Sequence, residues 1–412
     1  MKKQKKITIA LAMLLCLALL SACGNSGGGS GASGSGNGSA SPDGSTPVNS
    51  APIKVGILAP LTGDVAEYGI AVRNGAQLYI DQRNAAGGVN GKQIEVIQYD
   101  EEGLPTNALT GYNYLVDQGV TAIIGDVTTN PTLAVVPEAF ADNMPMITAS
   151  ATAAAVTFDD TTGELLYPNM FRSCFIDPFQ GEKMADFASA NLDAKTAAVI
   201  FNTGIDYSIG LKDAFVKKAQ EIGLEIVSQE GYADGAVDFQ SQLTNIAAKK
   251  PDVLFTPDYY NTVALISQQA RNAGVTAAML GGDGWATVLD VMNNPAPIEG
   301  SYYCSGYSVE DASPAVQDFL KAYMDEHGSL PNMFAAQGYD AAMVLVAALE
   351  IAETSGYATG SGEYRTAVID AMRATDMECV TGHITYDAFN NPIKSAAIIN
   401  ITGGVERFWG KY

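Results

Sequence analysis

Two short polar segments, each placed after a predicted strand, have residue types suited to holding a charged small molecule. In the first, the predicted strand Thr121–Gly125 is followed by Asp126-Val127-Thr128-Thr129-Asn130-Pro131. Proline suits the first position of a helix, so Thr129 or Asn130 is the expected N-cap of a helix over Pro131–Asp142. A helix start presents free backbone N–H groups and a hydroxyl, which suit a carboxylate. The segment predicts an anion site, although simple helix capping would use the same residues.

The second segment is Gly281-Gly282-Asp283-Gly284-Trp285, which begins at the last residue of the predicted strand Ala278–Gly281. An acid between glycines can be approached closely along bare backbone, and a glycine turn alone would also explain this composition. Ser150-Ala151-Thr152 similarly follows the predicted strand Met146–Ala149. Because ligands in open α/β sheets bind beyond the carboxyl ends of the strands, these segments are predicted to face a ligand.

The sequence shows no arrangement typical of an enzyme or a metal site. The only histidines are His327 and His383, which excludes a histidine-rich metal site, and no nucleophile with a plausible base partner stands out. Matches to GxGxxG and GxSxG fall within residues 24–34, where neither follows a strand nor opens a helix, as those motifs require. We therefore predict a protein without catalytic activity, metal or cofactor. An exported hydrolase is the enzyme alternative, and it would require turnover and a nucleophile–base pair.

The elements that must position these segments alternate between strand and helix in two successive series, which predicts parallel sheets covered by helices on both faces. Two doubly wound α/β lobes are therefore expected, with a cleft between them. A further apolar run, Phe334–Ser355, is predicted as a fully buried helix because it is too short in continuous apolar residues to span a membrane. The predicted strands are Ile53–Ala59, Ile94–Asp100, Thr121–Gly125, Met146–Ala149, Ala197–Phe201, Glu225–Gly231, Val253–Thr256 and Ala278–Gly281, and the predicted helices between them are Tyr68–Asn84, Thr106–Gln118, Pro131–Asp142, Ser208–Ile222, Phe239–Lys249 and Thr262–Ala273.

The N-terminal residues indicate export and anchoring. Lysines near the start precede the apolar run Ile7–Leu20, and Leu20-Ser21-Ala22-Cys23 resembles a bacterial lipobox. Residues 1–22 are predicted to be a lipoprotein signal peptide with lipid on Cys23, and the alternative is an ordinary signal peptide with a chance cysteine. Residues 23–51 are rich in Gly and Ser and are predicted to form a flexible tether. The protein is thus expected on the outer face of the cytoplasmic membrane.

Charge and cysteine content narrow the function classes. The chain has 23 Lys and Arg against 45 Asp and Glu, a net charge of −22. Without the four signal lysines the balance is 19 against 45, or −26, which argues against nucleic acid as a partner.

Beyond the signal and Cys23, the cysteines are Cys174, Cys304 and Cys379. One disulfide and three free buried thiols are both compatible with that count.

Several segments, in order along the chain, resemble the periplasmic leucine/isoleucine/valine-binding proteins. The opening Ile53–Gly63 with Tyr68-Gly69, then Ala85–Gly91, Val120–Gly125 and Ala270–Gly274 carry the similarity. The resemblance implies a type I periplasmic-binding-protein fold, in which two lobes are joined by three crossings. It also implies delivery of an amino acid, of branched-chain type, to an ABC permease. The expected lobes are residues 52–174 with 304–388 and residues 175–303 with 389–412.

The resemblance also assigns roles to individual positions. Thr129 aligns with the family's carboxylate-binding serine, Thr152 with its second hydroxyl and Asp283 with its ammonium-binding acid. Tyr207 and Tyr259 occupy aromatic positions in the second lobe. The complete set of expected ligand-binding residues is Tyr68, Val127, Thr128, Thr129, Ser150, Thr152, Tyr207, Tyr259, Asp283, Trp285 and Phe334. A tethered sensor of an amino acid, amide or small carboxylic acid is the alternative to a transport protein.

Overall fold

The computed structural model describes residues 51–412. The predicted signal peptide, Cys23 and residues 23–50 of the tether lie outside the described residues. Sixteen strands and ten α-helices are present in the described part. The strands are β1 (Ile53–Ala59), β2 (Ile94–Asp100), β3 (Ala122–Ile124), β4 (Met146–Thr148), β5 (Phe158–Asp159), β6 (Glu164–Leu165), β7 (Met170–Arg172), β8 (Thr196–Asn202), β9 (Glu225–Tyr232), β10 (Val253–Phe255), β11 (Ala278–Gly281), β12 (Ser301–Ser305), β13 (Asp376–Cys379), β14 (Gly382–Thr385), β15 (Ala397–Thr402) and β16 (Val405–Lys411). The helices are α1 (Ala66–Ala85), α2 (Pro105–Asp117), α3 (Thr129–Ala141), α4 (Asp177–Asn191), α5 (Asp206–Ile222), α6 (Gln240–Lys249), α7 (Tyr260–Asn272), α8 (Pro314–His327), α9 (Met333–Ala352) and α10 (Gly362–Arg373).

Two large sheets organise the chain, as the alternating pattern predicted. The first has five parallel strands in the order β2-β1-β3-β4-β7. The second has seven strands in the order β16-β15-β12-β11-β10-β8-β9, and it is parallel from β12 to β9. Every residue of β3, β4 and β10 is buried, because helices cover both faces of a parallel sheet. The α/β class is confirmed.

The chain crosses between the two sheets three times, which confirms the expected connection. It leaves the first sheet after β7, returns after β12 to form helices that pack on that sheet, and leaves again between β14 and β15. On its return it forms α9, which packs against α1, β3 and β4. We use lobe 1 for the first sheet with α1–α3, α8–α10 and the β13–β14 hairpin, and lobe 2 for the second sheet with α4–α7. The boundary expected between residues 303 and 304 falls inside β12, which belongs to lobe 2.

One edge of the second sheet departs from the parallel pattern. Strand β12 pairs with β15, and β15 with β16, in antiparallel register. Gly403 and Gly404 join β15 to β16 with φ values of +65° and +72°, a conformation that glycine adopts without steric cost. The hairpin therefore closes the edge with residues from the end of the chain.

Helix α9 is a buried core helix, as predicted for the apolar run that begins near Phe334. Within residues 51–412 it is the one helix long and apolar enough to cross a membrane, and 72% of its most apolar window is buried. Two glycines let it lie close to α1. A Cβ on Gly75 would come 1.9 Å from the carbonyl oxygen of Ala335, and one on Gly338 would come 2.3 Å from that of Val72. Larger residues at either position would push the helices apart.

The three cysteines of the described part, Cys174, Cys304 and Cys379, are buried and free. The structure thus decides between the two alternatives left by the cysteine count. Burial raises the pKa of the Cys174 thiol to about 12, so this group stays protonated and unreactive near neutral pH.

Candidate functional site

Strand ends from both lobes meet at one small cavity. Its volume is about 10 Å³, close to what a single water molecule requires, so the two lobes are closed upon it. Gly284 and nine of the eleven predicted ligand-binding residues line it. The nine are Tyr68, Val127, Thr128, Thr129, Ser150, Tyr207, Tyr259, Asp283 and Phe334.

The lobe 1 side of the cavity is formed by the start of α3. Thr128 is the N-cap and makes no side-chain capping bond, whereas Thr129 is the first helical residue. The prediction that Thr129 or Asn130 caps the helix with Pro131 at its first position is therefore wrong by one to two residues. The carbonyl oxygen of Thr128 already accepts bonds from the backbone N–H (3.1 Å) and hydroxyl (2.7 Å) of Thr132. Proline is tolerated in the first turn because N–H groups there have no intrahelical partner.

The two loops that reach the cavity from lobe 1 are bonded to each other. The hydroxyl of Ser150 donates to the carbonyl oxygen of Val127 at 2.7 Å. The hydroxyl of Thr148 donates to the carbonyl oxygen of Asp126 and accepts from the backbone N–H of Ala151 at 2.9 Å. These bonds hold both loops in place, so the hydroxyls and N–H groups facing the cavity are preorganised.

The lobe 2 side of the cavity centres on Asp283, which is 2% exposed. Its Oδ1 accepts from the hydroxyl of Tyr207 at 2.9 Å, and its backbone N–H donates to Oε1 of Gln180 at 2.8 Å. Its Oδ2 is buried, and none of residues 51–412 forms a hydrogen bond with it. Burial raises the pKa of Asp283 to about 6, against the opposing hydrogen bond from the Tyr207 hydroxyl. A buried carboxylate with one free oxygen is suited to an ammonium group.

The glycines around Asp283 are required by close packing. A Cβ on Gly282 or Gly284 would lie 2.8 Å from the hydroxyl oxygen of Tyr207. A side chain at either position would displace that hydroxyl from the Asp283 carboxyl. The two glycines that flank Asp283 are therefore required sterically, and not only for turn formation.

Four aromatic side chains form the apolar walls. Tyr68 and Phe334 of lobe 1 stack with ring centroids 4.1 Å apart, and Tyr207 and Tyr259 of lobe 2 stack at 5.0 Å. Tyr68 meets Tyr259 edge-on at 5.7 Å. The hydroxyl of Tyr68 donates to the carbonyl oxygen of Gly284 at 2.5 Å. The lobes therefore contact each other through a residue that also lines the cavity.

Two predicted residues do not line this cavity. Trp285 is fully buried in lobe 2, where its indole N–H donates to the carbonyl oxygen of Thr256 at 2.8 Å. A Cβ on Gly281 would come 2.2 Å from the indole ring, so the ring fills core space beside its own strand. Thr152 is also fully buried, and its hydroxyl has no hydrogen-bond partner. Neither residue lines the small cavity, and a ligand contact for Trp285 or Thr152 stays a prediction.

Two buried polar residues beside Asp283 were missed by the sequence reasoning. Gln180 bonds to Asp283, as described above, and its Nε2 has no partner. Asp177 is the first residue of α4, is fully buried, and has two unpartnered carboxylate oxygens. Burial raises its pKa well above the usual value for aspartate, with the Asp283 charge adding to the increase. Asp177-Pro178 is a helix-start signature that could have drawn attention to this position.

A larger, more open cavity of about 490 Å³ lies outside the small one and shares Thr128 and Tyr259 with it. Its lining comes from both lobes and includes Asp64 and Asn130 of lobe 1 and Asn261 of lobe 2. It forms the mouth of the cleft. Within residues 51–412, no group of three or more His, Cys, Asp or Glu side chains is arranged to hold a metal ion.

The chain resembles known proteins in both sequence and fold. The sequence model of a family described as "Periplasmic binding protein" matches residues 52–404. The Leu/Ile/Val-binding protein homolog 3 of Brucella melitensis biotype 1 is 30% identical over 340 residues, 82% of this chain and 87% of that protein. The crystal structure of a leucine-binding protein, LivK, from Thermotoga maritima MSB8 superposes with a TM-score of 0.79 and 31% identity, over 87% of this chain and 98% of that one. The branched-chain amino acid transporter substrate-binding protein LivJ from Streptococcus pneumoniae, in complex with isoleucine, gives a TM-score of 0.76 and 30% identity, over 88% of this chain and 99% of that one.

Proposed function

The chain belongs to the periplasmic binding protein family, and from that premise we propose that it binds a branched-chain amino acid between its lobes and delivers it to an ABC permease. The observation that carries the ligand class is the opposition of two charge-selective groups across one cavity. The start of α3, at Thr129, lies on one side and the unpartnered Oδ2 of Asp283 lies on the other. Free N–H groups favour a carboxylate and the carboxylate of Asp283 favours an ammonium.

The walls between these groups select the rest of the ligand. Tyr68, Phe334, Tyr207 and Tyr259 present ring faces and edges, which suit an aliphatic side chain better than a charged one. The LivJ structure from Streptococcus pneumoniae was solved with isoleucine, and the Brucella melitensis relative is named for leucine, isoleucine and valine. We therefore propose leucine, isoleucine or valine as the ligand of this chain.

We propose that the protein lies on the outer face of the cytoplasmic membrane, in keeping with its extracytoplasmic family. Lipid on Cys23 would anchor it to the outer face of the cytoplasmic membrane, and the Gly/Ser-rich residues after Cys23 would let it reach the permease. No chemical transformation is part of the proposal, because capture and release need only opening and closing of the lobes.

Calorimetric titration with leucine, isoleucine and valine tests the ligand assignment. We include 3,4-dihydroxybenzoic acid, because a solute-binding protein of an ABC transporter from Rhodopseudomonas palustris BisB5, 25% identical with a TM-score of 0.74, was solved with that acid. Binding of the amino acids and not of the benzoic acid is the expected result. Binding of the benzoic acid alone would show that Asp283 does not receive an ammonium and would overturn the proposal.

A further inference from the structure

The side chain of Asn130 joins the two lobes at the mouth of the cleft. It is the second residue of α3 in lobe 1. Its Nδ2 donates to the carbonyl oxygen of Gly204 at 3.2 Å, and its Oδ1 accepts from the backbone N–H of Asp206 at 3.1 Å. Both partners lie in lobe 2, between β8 and the first residue of α5. One amide group therefore makes two oppositely directed bonds to the same short loop.

The loop that Asn130 contacts is held in position within lobe 2. Oδ1 of Asn202 accepts from the backbone N–H of Gly204 at 2.9 Å, and its Nδ2 donates to Oδ1 of Asp234 at 3.0 Å. The backbone N–H of Thr203 donates to the carbonyl oxygen of Tyr232 at 2.9 Å. The acceptor and donor offered to Asn130 are thus set by lobe 2 itself and need little ordering when the lobes meet.

Asn130 is separate from the ligand cavity although its neighbour is part of it. Thr129 lines the small cavity, whereas Asn130 lines the outer one at the cleft mouth. Other bonds between the lobes are harder to separate from the ligand site, since Tyr68 lines the small cavity as well. On another part of the mouth, the hydroxyl of Tyr260 donates to the carbonyl oxygen of Asp64 at 2.9 Å. Asn130 is therefore a contact whose removal leaves the cavity lining intact.

We propose that Asn130 is a closing latch, a positioning residue that stabilises the closed arrangement without touching the ligand. The apparent dissociation constant of a closing protein equals the intrinsic constant divided by the fraction of protein that is closed. Removing the latch lowers that fraction and weakens every ligand by the same factor. A residue that contacts the ligand would instead change the ratios among ligands, because each ligand places different atoms against it. The choice of ligands for the test rests on the proposed function.

The test compares Asn130→Ala and Asn130→Asp with the parent, using Asn113→Ala as the matched control. Asn113 is an exposed asparagine of lobe 1. Its Nδ2 donates to the carbonyl oxygen of Leu109 in its own helix at 3.0 Å. Asn130→Ala removes both bonds, and we expect the dissociation constants of leucine, isoleucine and valine to rise together by about tenfold, with faster release. Asn130→Asp keeps an acceptor for Asp206 and turns an oxygen toward the Gly204 carbonyl, so it should bind no better than Asn130→Ala. Asn113→Ala should match the parent.

A second measurement uses amide hydrogen exchange in protein saturated with the ligand that binds best in the titration, 3,4-dihydroxybenzoic acid included. The backbone N–H of Tyr260 in lobe 2 donates to the hydroxyl of Tyr68 in lobe 1 at 3.0 Å, so its exchange reports opening of the lobes without involving Asn130. Exchange at Tyr260 should be faster in Asn130→Ala than in the parent, while exchange at Thr203, which is bonded within lobe 2, stays unchanged. Equal exchange at Tyr260 in both proteins would overturn the latch, as would dissociation constants within twofold of the parent or unequal shifts among the three ligands. If the parent binds only the benzoic acid, the proposed function fails, and exchange at Tyr260 with that acid bound still decides on the latch.

Discussion

The hydroxyl of Tyr207 lies 2.9 Å from Oδ1 of Asp283 and leaves Oδ2 of the same buried carboxyl without a partner. Tyr207 comes from the first turn of α5, while Asp283 follows β11. The tyrosine thus orients the acid and leaves one oxygen for a ligand. This relationship makes Asp283 the most sensitive position for testing the proposed site.

Replacement of Asp283 by alanine should weaken amino-acid binding strongly. Removing one partner of a buried charge pair typically costs about 2–5 kcal/mol, or roughly thirtyfold to several thousandfold in affinity. The melting temperature without ligand should change little, because the loss of the hydrogen bond from Tyr207 to Oδ1 is offset by removal of a buried carboxyl whose Oδ2 has no partner among residues 51–412. Calorimetry and thermal melts check both expectations. The control is Asp325→Ala, an exposed acid on α8, and parent-like affinity in Asp283→Ala would exclude an ammonium at this position.

Replacement of Thr129 by valine should have a smaller effect. The change removes a hydroxyl at the start of α3, but the first-turn N–H groups would still hold a carboxylate. We expect a loss of about 1–2 kcal/mol in binding free energy, or roughly five- to thirtyfold. Thr129→Ser retains the hydroxyl and should stay close to the parent. If Ser and Val variants bind equally well in calorimetry, the hydroxyl is not a ligand contact.

Affinity should depend on pH through Asp283. Its pKa is about 6 in the closed protein because burial disfavours the charged form. An ammonium in the cavity favours the ionised form and lowers this pKa in the complex, so binding releases a proton below about pH 6. The dissociation constant should be flat above about pH 7 and rise by up to about tenfold per pH unit below about pH 6.

A control for this profile is needed because the pKa of Asp258 is also about 6, again through burial. Titrations of Asp283→Asn between pH 5 and 8 should show weak binding with a much flatter profile. A profile as steep as that of the parent would assign the pH dependence to another group.

Replacement of Tyr68 by phenylalanine should weaken closure while the aromatic stack is kept. The Tyr68 hydroxyl donates to Gly284 and accepts from the backbone N–H of Tyr260 at 3.0 Å, both in lobe 2. In Tyr68→Phe, the carbonyl of Gly284 and the N–H of Tyr260 give up water when the lobes close and gain no hydrogen-bond partner. The cost of about 1–2 kcal/mol therefore falls on the closed form. The dissociation constant should rise roughly five- to thirtyfold. Small-angle scattering should show that saturating leucine contracts the parent. At one subsaturating leucine concentration Tyr68→Phe should contract less than the parent, and equal contraction of the two proteins would contradict this role.

Replacement of Cys23 by alanine tests the proposed lipid anchor. Without the thiol no lipid can be attached, so the protein should leave the membrane fraction. Cell fractionation and metabolic labelling with a fatty-acid analogue measure this. The matched control is Ser21→Ala, which keeps the thiol of Cys23 and should stay in the membrane fraction. Retention of a cleaved Cys23→Ala protein in membranes would overturn the anchor.

Sequence patterns alone predicted the central elements of the fold closely. The strands β1, β2 and β11 have the predicted bounds, and the predicted buried helix Phe334–Ser355 corresponds to α9 at Met333–Ala352. Such elements have runs of apolar residues or a regular period that depends on local sequence and burial. The sequence reasoning did not assign β5–β7, α4, β12, α10 or β13–β16. Most of these lie at sheet edges or crossings, where pairing partners far along the chain decide the structure.

The candidate site divides in the same way. The sequence by itself determined that Thr129 and Asp283 follow strands, because strand ends and glycine turns are local features. Tertiary structure alone decided that Trp285 fills the core of lobe 2, that Asp177 and Gln180 stand beside Asp283, and that Asn130 reaches Gly204. Side-chain direction and contacts between lobes depend on the packing of residues separated by tens or hundreds of positions, and no periodicity along the chain records them.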